Sequence, residues 1–356
     1  MLSIYRYKKH CSRSSFSFAD SEVQRRISID GSTSNSELCG HSATLKQIQN
    51  VATNLIHGSL AKSSKESYRR VFAFNKEFML LYFPLEIVFP ASLEHLTLFI
   101  AYCFQTKLAS STVLTYMSAI SFLLQLGGYE DLTGHFIISK ALRGYHKEKA
   151  AKDSRLPITP SILKGLCQSL PKTCSSRFLQ LMLHAMYLLA FHAFLRIGEI
   201  TGLPPPLGNC LSVNDIKFLQ GDSEGLEIQM SKFKHSTGKH IPVLFLSSNN
   251  SNKAVCPVHS LWSYLQLRGK ESSNVQPLFS FMDNAPITRS FFNSQLQLSL
   301  KFAGLNVKNY KSHSFRIGAA TTAWAKGFSE EQIQQMGRWN SEAFKKYIRI
   351  PLLSLQ

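Results

Sequence analysis

From Phe178 to Leu195 the chain is apolar nearly all the way round a helix, and the next residue is an arginine, Arg196. A helix without a polar face has to be enclosed by protein, so the rest of the chain must build a core around this segment. With 356 residues it can do so in two domains of ordinary size without a disulfide or metal staple. The seven cysteines are scattered, with no C-x-x-C pair and no histidine at zinc-like spacing, a pattern of free thiols in a reducing compartment. No apolar run reaches the roughly 18 to 20 residues that span a bilayer, so no membrane partner is expected. The opening residues lack an apolar secretion segment, and Asp20 and Glu22 count against a transit peptide.

Helical spacing dominates elsewhere. Residues 1–42 are rich in Ser, Arg and Lys without a sustained period and read as a disordered basic tail. Leu45, Ile48, Ala52, Leu55 and Ile56 recur at helical spacing before Gly58, which predicts a short amphipathic helix. Ser63 with Glu66 is a capping-box pattern for a second helix ending before Pro84, and Ser92 can cap a third. A fourth follows Ser110 and stops at Gly127 and Gly128, and Ile138, Ala141, Leu142 and Tyr145 mark a fifth. Residues 43–150 thus read as one helical domain, its Met and aromatic stripes forming the core. Lys65, Arg69, Arg70 and Lys107 are left for its surface, as DNA contacts or as a solvated face.

The polar run from Lys147 to Arg155 marks the boundary to a second domain, 151–356. Thr159 and Pro160 open a helix there. Leu226 to Met230 and Ile241 to Leu246 bracket a turn at Ser236, Thr237 and Gly238 and predict a Lys-rich β-hairpin. After Cys256 the pattern is helical again. The fold class is therefore mainly α with a small β-hairpin or sheet.

Lys and Arg number 40 against 22 Asp and Glu, a formal net charge of +18, and a polyanion such as nucleic acid is the partner this balance predicts. The excess persists locally, with eight Lys or Arg against three Glu from Lys308 to Arg349. A guanidinium next to a core needs a reason. For Arg196 the plain reason is an ion pair with Glu199, three residues along on the same helical face. His313 and Arg316 repeat the theme at i, i+3, and taken alone are better read as a capping histidine with a surface arginine than as a site. No Asp or Glu cluster suggests a metal site, and Glu330 with Glu331 suits a helix N-terminus. No cofactor is expected.

The order of these features carries more than each alone. L-R-I-x-E-I at 195–200, a Lys-bearing hairpin, H-S-F-R at 313–316 and G-R-W-x(7)-Y-I-R at 337–349 together resemble the tyrosine recombinase (phage integrase) family, which includes the Xer recombinases and Cre, and above all its eukaryotic transposon-borne members. The resemblance covers roughly residues 60–350. It implies a SAM-like core-binding domain followed by a catalytic domain that would clamp double-stranded DNA between them. It further implies a homotetramer on paired sites, cleavage through a 3'-phosphotyrosine, a mobile-element origin and a nuclear location. Arg196 and Arg316 would hold the non-bridging phosphate oxygens, Tyr347 would be the nucleophile, His313 the general acid or base, and Glu199 would orient its neighbours. The leaving 5'-oxygen would take its proton from the hairpin lysine, Lys234 by spacing from Pro242, with Lys232 as the alternative.

Cre-like sequences place an aromatic or His ligand directly after the glycine that precedes the tyrosine segment. Arg338 stands there in this chain; either Trp339 fills the role through a shifted turn or Arg338 supplies a third cation. Beyond Tyr347, Pro351 and the apolar Leu352, Leu353 and Leu355 make a short tail that docks on its own domain or on a neighbour's. The rival readings are a catalytically silent DNA-binding protein and a type IB topoisomerase-like enzyme.

Overall fold

Five helices carry the first part of the chain and a helical assembly around one small sheet carries the second, in a computed structural model that describes residues 43–86, 88–149, 153–204, 207–219, 224–231, 241–269 and 276–349. Contacts divide the chain into two compact units, Met1–Lys152 and Asp153–Gln356. The basic tail 1–42, hairpin residues Lys232, Lys234 and Lys239, and the leucines at 352, 353 and 355 lie outside the described residues.

In the first unit the helices are α1 (Ala43–Gly58), α2 (Lys62–Tyr82), α3 (Leu93–Gln105), α4 (Ser110–Leu126) and α5 (Phe136–Lys149). The aromatic stripes meet as a core: Phe78, Phe99, Leu96, Ile120, Leu124 and Ile138 are buried together, with Phe74, Tyr102 and Tyr116 ringing them. Tyr145 fastens α5 to this core by donating its hydroxyl to the Cys103 carbonyl at 2.9 Å, with the Leu108 carbonyl at 2.8 Å. Ser92 caps α3 as its sequence predicts, accepting from the His95 N–H at 3.1 Å. Ser63 does not cap α2. The helix starts two residues earlier, after Ala61 and without a side-chain cap, because Glu66 reaches forward to the charged Arg69 (2.9 Å) and Arg70 (3.4 Å) instead of back to a neutral N–H. The predicted apolar stripe of α1 is not covered either: Leu45, Ile48 and Leu55 stand exposed.

The second unit begins with α6 (Pro160–Thr173) and α7 (Arg177–His192). Thr159 caps α6 through the Ile162 N–H at 3.3 Å, with Pro160 in the first turn. The apolar α7 is enclosed as its composition requires, with Met182, Leu183, Met186, Tyr187, Leu188 and Leu189 all inaccessible. It ends at His192, however, and the run beyond it is not helical. Phe194 takes a left-handed backbone conformation (φ 50°), Arg196 is extended, and a one-turn helix, α8 (Ile197–Ile200), follows. Arg196 therefore leaves the buried helix on a turn rather than riding on it.

Three antiparallel strands, β1 (Ile216–Leu219), β2 (Gly225–Gln229) and β3 (Val243–Ser247), pair in chain order, with Ile216 opposite Ile228 and Gln229 opposite Val243. The predicted hairpin is β2 and β3; β1 is an additional strand, too short at four residues to show an alternation in sequence. Leu226 and Ile228 face the core, while Val243 and Phe245 face outward. Helices α9 (Pro257–Arg268), α10 (Arg289–Phe302), α11 (Ser314–Ala325) and α12 (Glu330–Gly337) complete the unit, followed by a 3₁₀ run, Glu342–Tyr347. Packing of α11 onto the incoming chain is close: a Cβ on Gly318 would meet the Ile158 carbonyl oxygen at 1.9 Å, so only glycine fits.

Candidate active site

Two breaks in helices bring the predicted residues together. The first is the left-handed turn at Phe194, which swings Arg196 and Glu199 off the end of α7. The second is at Arg338, which is also left-handed (φ 53°) and caps α12 by donating its N–H to the Gln335 carbonyl at 3.0 Å. Glycine is the usual residue there; the arginine in its place turns its guanidinium inward onto Glu199, which offsets the strain.

Glu199 is the hub. One carboxylate oxygen accepts from Arg196 Nη1 at 3.0 Å, and the other accepts from Arg338 Nη2 at 2.9 Å and from the Arg196 backbone N–H at 2.8 Å. Arg338 donates further to the carbonyls of Ala193 (3.2 Å) and Phe194 (3.3 Å). Arg316, on α11, is 1% exposed and donates to the same Phe194 carbonyl and to the Gly337 carbonyl at 2.8 Å. Both Arg316 and Arg338 leave a buried Nε without a partner among the described residues, as does Trp339 with its Nε1. The ion pair between Arg196 and Glu199 is thus real, but Glu199 is shared with Arg338. Arg196 keeps the surface: its side chain is 20% exposed.

Three guanidinium groups around one carboxylate leave an excess of positive charge in a place with little water. Burial pushes the Arg316 guanidinium down to about 9, with Arg196 and Arg338 adding to the effect. Arg338 is displaced in the same direction by burial.

Tyr347 ends the 3₁₀ run beside this cluster, and its ring is half-buried. Its ring centroid lies 4.8 Å from that of His313 and 4.9 Å from that of Trp339. The Arg316 guanidinium sits over the Trp339 ring at 4.3 Å and 5.6 Å from the Tyr347 ring. Burial pushes the His313 imidazole down to about 4, helped by the charges of Arg155 and Arg316, so it is neutral at pH 7. Trp339 therefore packs against the tyrosine, whereas Arg338 lies behind it on Glu199. Asp153 and Arg155, which sequence reasoning passed over as linker, also approach this site from the start of the second unit.

Arg196, Glu199, His313, Arg316, Arg338, Trp339 and Tyr347 are thus gathered in one place, while the candidate lysines Lys234 and Lys232 lie outside the described residues. In the first unit, Lys65 is half-buried on α2 and Arg69, Arg70 and Lys107 are exposed. Among the described residues no group of three or more His, Cys, Asp or Glu could hold a metal ion, and no helix is long and apolar enough to cross a membrane.

No protein-family model and no curated protein matches the sequence. Solved structures do match. The XerH site-specific recombinase bound to palindromic difH substrate, in a post-cleavage complex, aligns over 95% of this chain and 92% of that one at TM-score 0.56 and 14% identity. The Tn1549 transposon integrase in complex with transposon right end DNA aligns over 94% and 95% at TM-score 0.55 and 12% identity. A lambda integrase dimer bound to a COC' core site aligns over 85% and 94% at TM-score 0.54 and 14% identity. Such low identity with such coverage is a likeness of fold, and it spans both units. The chain has the fold of the tyrosine recombinases.

Proposed function

We propose that the chain is a DNA strand-exchange enzyme, a site-specific recombinase or integrase of mobile-element origin. The observation that carries this reading is the cluster of Arg196, Arg316 and Arg338 around the single carboxylate of Glu199, set against the ring of Tyr347. A cation excess in a poorly hydrated site is stabilised by an anion, and the buried Nε–H of Arg316 and Nε1–H of Trp339 are donors without an acceptor among the described residues. A DNA phosphodiester meets both needs.

In the cleavage step the Tyr347 oxygen attacks phosphorus, a tyrosine–phosphate bond forms, and the bond from phosphorus to the 5'-oxygen breaks. Guanidinium groups offset the charge that builds on the non-bridging oxygens, as an oxyanion hole does. Arg196, with its exposed surface, and Arg316 are the clamp, and Arg338 with Glu199 holds that clamp in place. The neutral His313 beside Tyr347 can accept a proton. The leaving 5'-oxygen takes a proton from Lys234, or from Lys232, both between β2 and β3 in sequence. Rejoining is the reverse of these steps, with a 5'-hydroxyl as nucleophile.

The helical first unit, residues 43–150, is the core-binding domain in this reading, and Lys65, Arg69, Arg70 and Lys107 supply contacts to double-stranded DNA. Exchange of both strands between two duplexes breaks four strands. One tyrosine per protomer then calls for a homotetramer on paired sites. A nuclear location follows from the resemblance to eukaryotic transposon-borne members.

Incubation with a plasmid carrying two candidate sites tests this reading. Recombinant circles support strand exchange. Relaxed circles alone point to topoisomerase activity, and binding without either product points to a DNA-binding protein that has lost the chemistry.

A further inference from the structure

The polar segment that opens the second unit is fastened to the surroundings of Tyr347. The Leu156 N–H donates to the Asn309 carbonyl at 2.8 Å and the Ile158 N–H to the Ser314 carbonyl at 3.1 Å. Ahead of these, the Asp153 carboxylate accepts from Arg155 Nε at 2.8 Å and Nη2 at 3.0 Å, and from Arg349 Nη2 at 2.7 Å. Arg349 is the second residue after Tyr347. Its backbone N–H donates to the Thr321 hydroxyl at 3.0 Å, and that hydroxyl donates to the Tyr347 carbonyl at 3.3 Å. Thr321 lies on α11, the helix that carries Arg316.

A 3₁₀ run has poorer hydrogen-bond geometry than an α-helix. Tyr347 ends such a run, so beyond the packing of its ring on His313 and Trp339 its backbone depends on the bonds made just past it. We infer that Asp153 is a positioning residue for Tyr347, gripping Arg349 and so holding the chain just past the tyrosine against α11. Asp153 touches none of the reacting atoms; it acts through Arg349. The inference rests on the reading of Tyr347 as the nucleophile.

Two further observations agree with it. The hydrogen bonds from Arg155 are the largest cause holding the Asp153 carboxyl down to about 2, so it is charged at pH 7. The same carboxylate fixes Arg155, whose charge is felt by His313.

An ordinary surface ion pair is the competing explanation, since the two side chains are 40% and 27% exposed and such pairs often contribute nothing measurable. The sign of the effect separates the two. Asp153→Ala removes a negative charge and, on electrostatics alone, should bind DNA as tightly as the wild type or more tightly. As a positioning residue, its loss should nevertheless slow attack.

The test is the single-turnover rate of covalent protein–DNA adduct formation on nicked duplexes at saturating protein, with duplex affinity measured alongside. It is run for the wild type, Asp153→Ala, Arg349→Ala, the double variant and Asp153→Glu. Each alanine variant is expected to slow adduct formation by about ten-fold or more, the scale on which small misplacement of a reacting group acts. The double variant should be no slower than the slower single one, and Asp153→Glu should recover most of the rate. Duplex affinity of Asp153→Ala should be unchanged or higher. Wild-type speed in Asp153→Ala, or losses that multiply in the double variant, would overturn the inference. No adduct from the wild type overturns the reading of the site and this inference together, whereas an adduct from the wild type with unaffected variants removes only the role of Asp153.

Discussion

Arg338 and Glu199 form an ion pair at 2.9 Å in which both side chains are almost completely buried, 3% and 4% exposed. Glu199 is the only carboxylate bonded to Arg338 and Arg196 among the described residues. Removing it leaves buried cations without a counter-charge, which costs about 3–5 kcal/mol for a broken buried pair. Glu199→Ala is therefore expected to lower unfolding free energy by that order, measured by denaturant titration, and Arg338→Met by less, because it deletes a cation from a site with too many. Equal losses would contradict the charge imbalance.

Trp339 depends on Gly337. A Cβ on Gly337 would come within 1.6 Å of the Trp339 ring, so Gly337→Ala must push the indole off Arg316. The expected cost is roughly 1–3 kcal/mol, the usual range for overpacking, with a change in tryptophan emission. In a Trp339→Ala background the same substitution should cost little. If the cost persists there, something other than the indole resists the added methyl group.

Acid should loosen the fold through histidines held neutral. Burial pushes His313 and His192 down to about 4, and His184 in the same direction. A group with a depressed folded pKa stabilises the fold above its unfolded value, near 6.5, and that stability drains away as pH falls towards 4. Asp131 and Asp153, near 2, titrate below this window. Stability measured at pH 7 and at pH 5 should therefore drop for the wild type and drop less for His313→Gln. An identical drop in the variant would show that His313 is not held neutral.

For the first unit the expected outcome is a change in salt dependence. Each cation that neutralises one phosphate contributes about 0.9 to the slope of log affinity against log salt. Replacing Lys65, Arg69, Arg70 and Lys107 by alanine should flatten that slope, and a slope identical to the wild type's would remove these residues from the interface. Arg69 and Arg70 pair with Glu66 in the structure, so Glu66→Gln should strengthen binding rather than weaken it.

Much of this was legible locally and the rest was not, for a physical reason in each case. Ser92 and the Thr159–Pro160 pair announce helix starts because a cap satisfies its own neighbours, and the core stripes follow from period alone. The end of α7 gives no such notice. Ala193, Phe194 and Leu195 are as apolar as the helix before them, and the left-handed turn at Phe194 uses neither glycine nor proline. In sequence Arg338 and Trp339 are alternatives, because which of them faces Tyr347 depends on the left-handed turn at Arg338. Asp153 sits in a polar stretch that reads as solvated linker, and its partner Arg349 is 196 residues away.

Covalent capture of DNA by Tyr347 tests strand exchange most directly. The chain and its Tyr347→Phe variant, each in excess EDTA, are incubated with a pool of nicked duplexes of varied sequence and run on a denaturing gel. Side chains alone offset the charge on the phosphate in this mechanism, so the wild type should yield a slow-migrating protein–DNA band that carries its phosphate on the Tyr347 peptide, and the variant should yield none. A band that survives in Tyr347→Phe, or that disappears on chelation, would contradict cleavage by a tyrosine held in an arginine clamp.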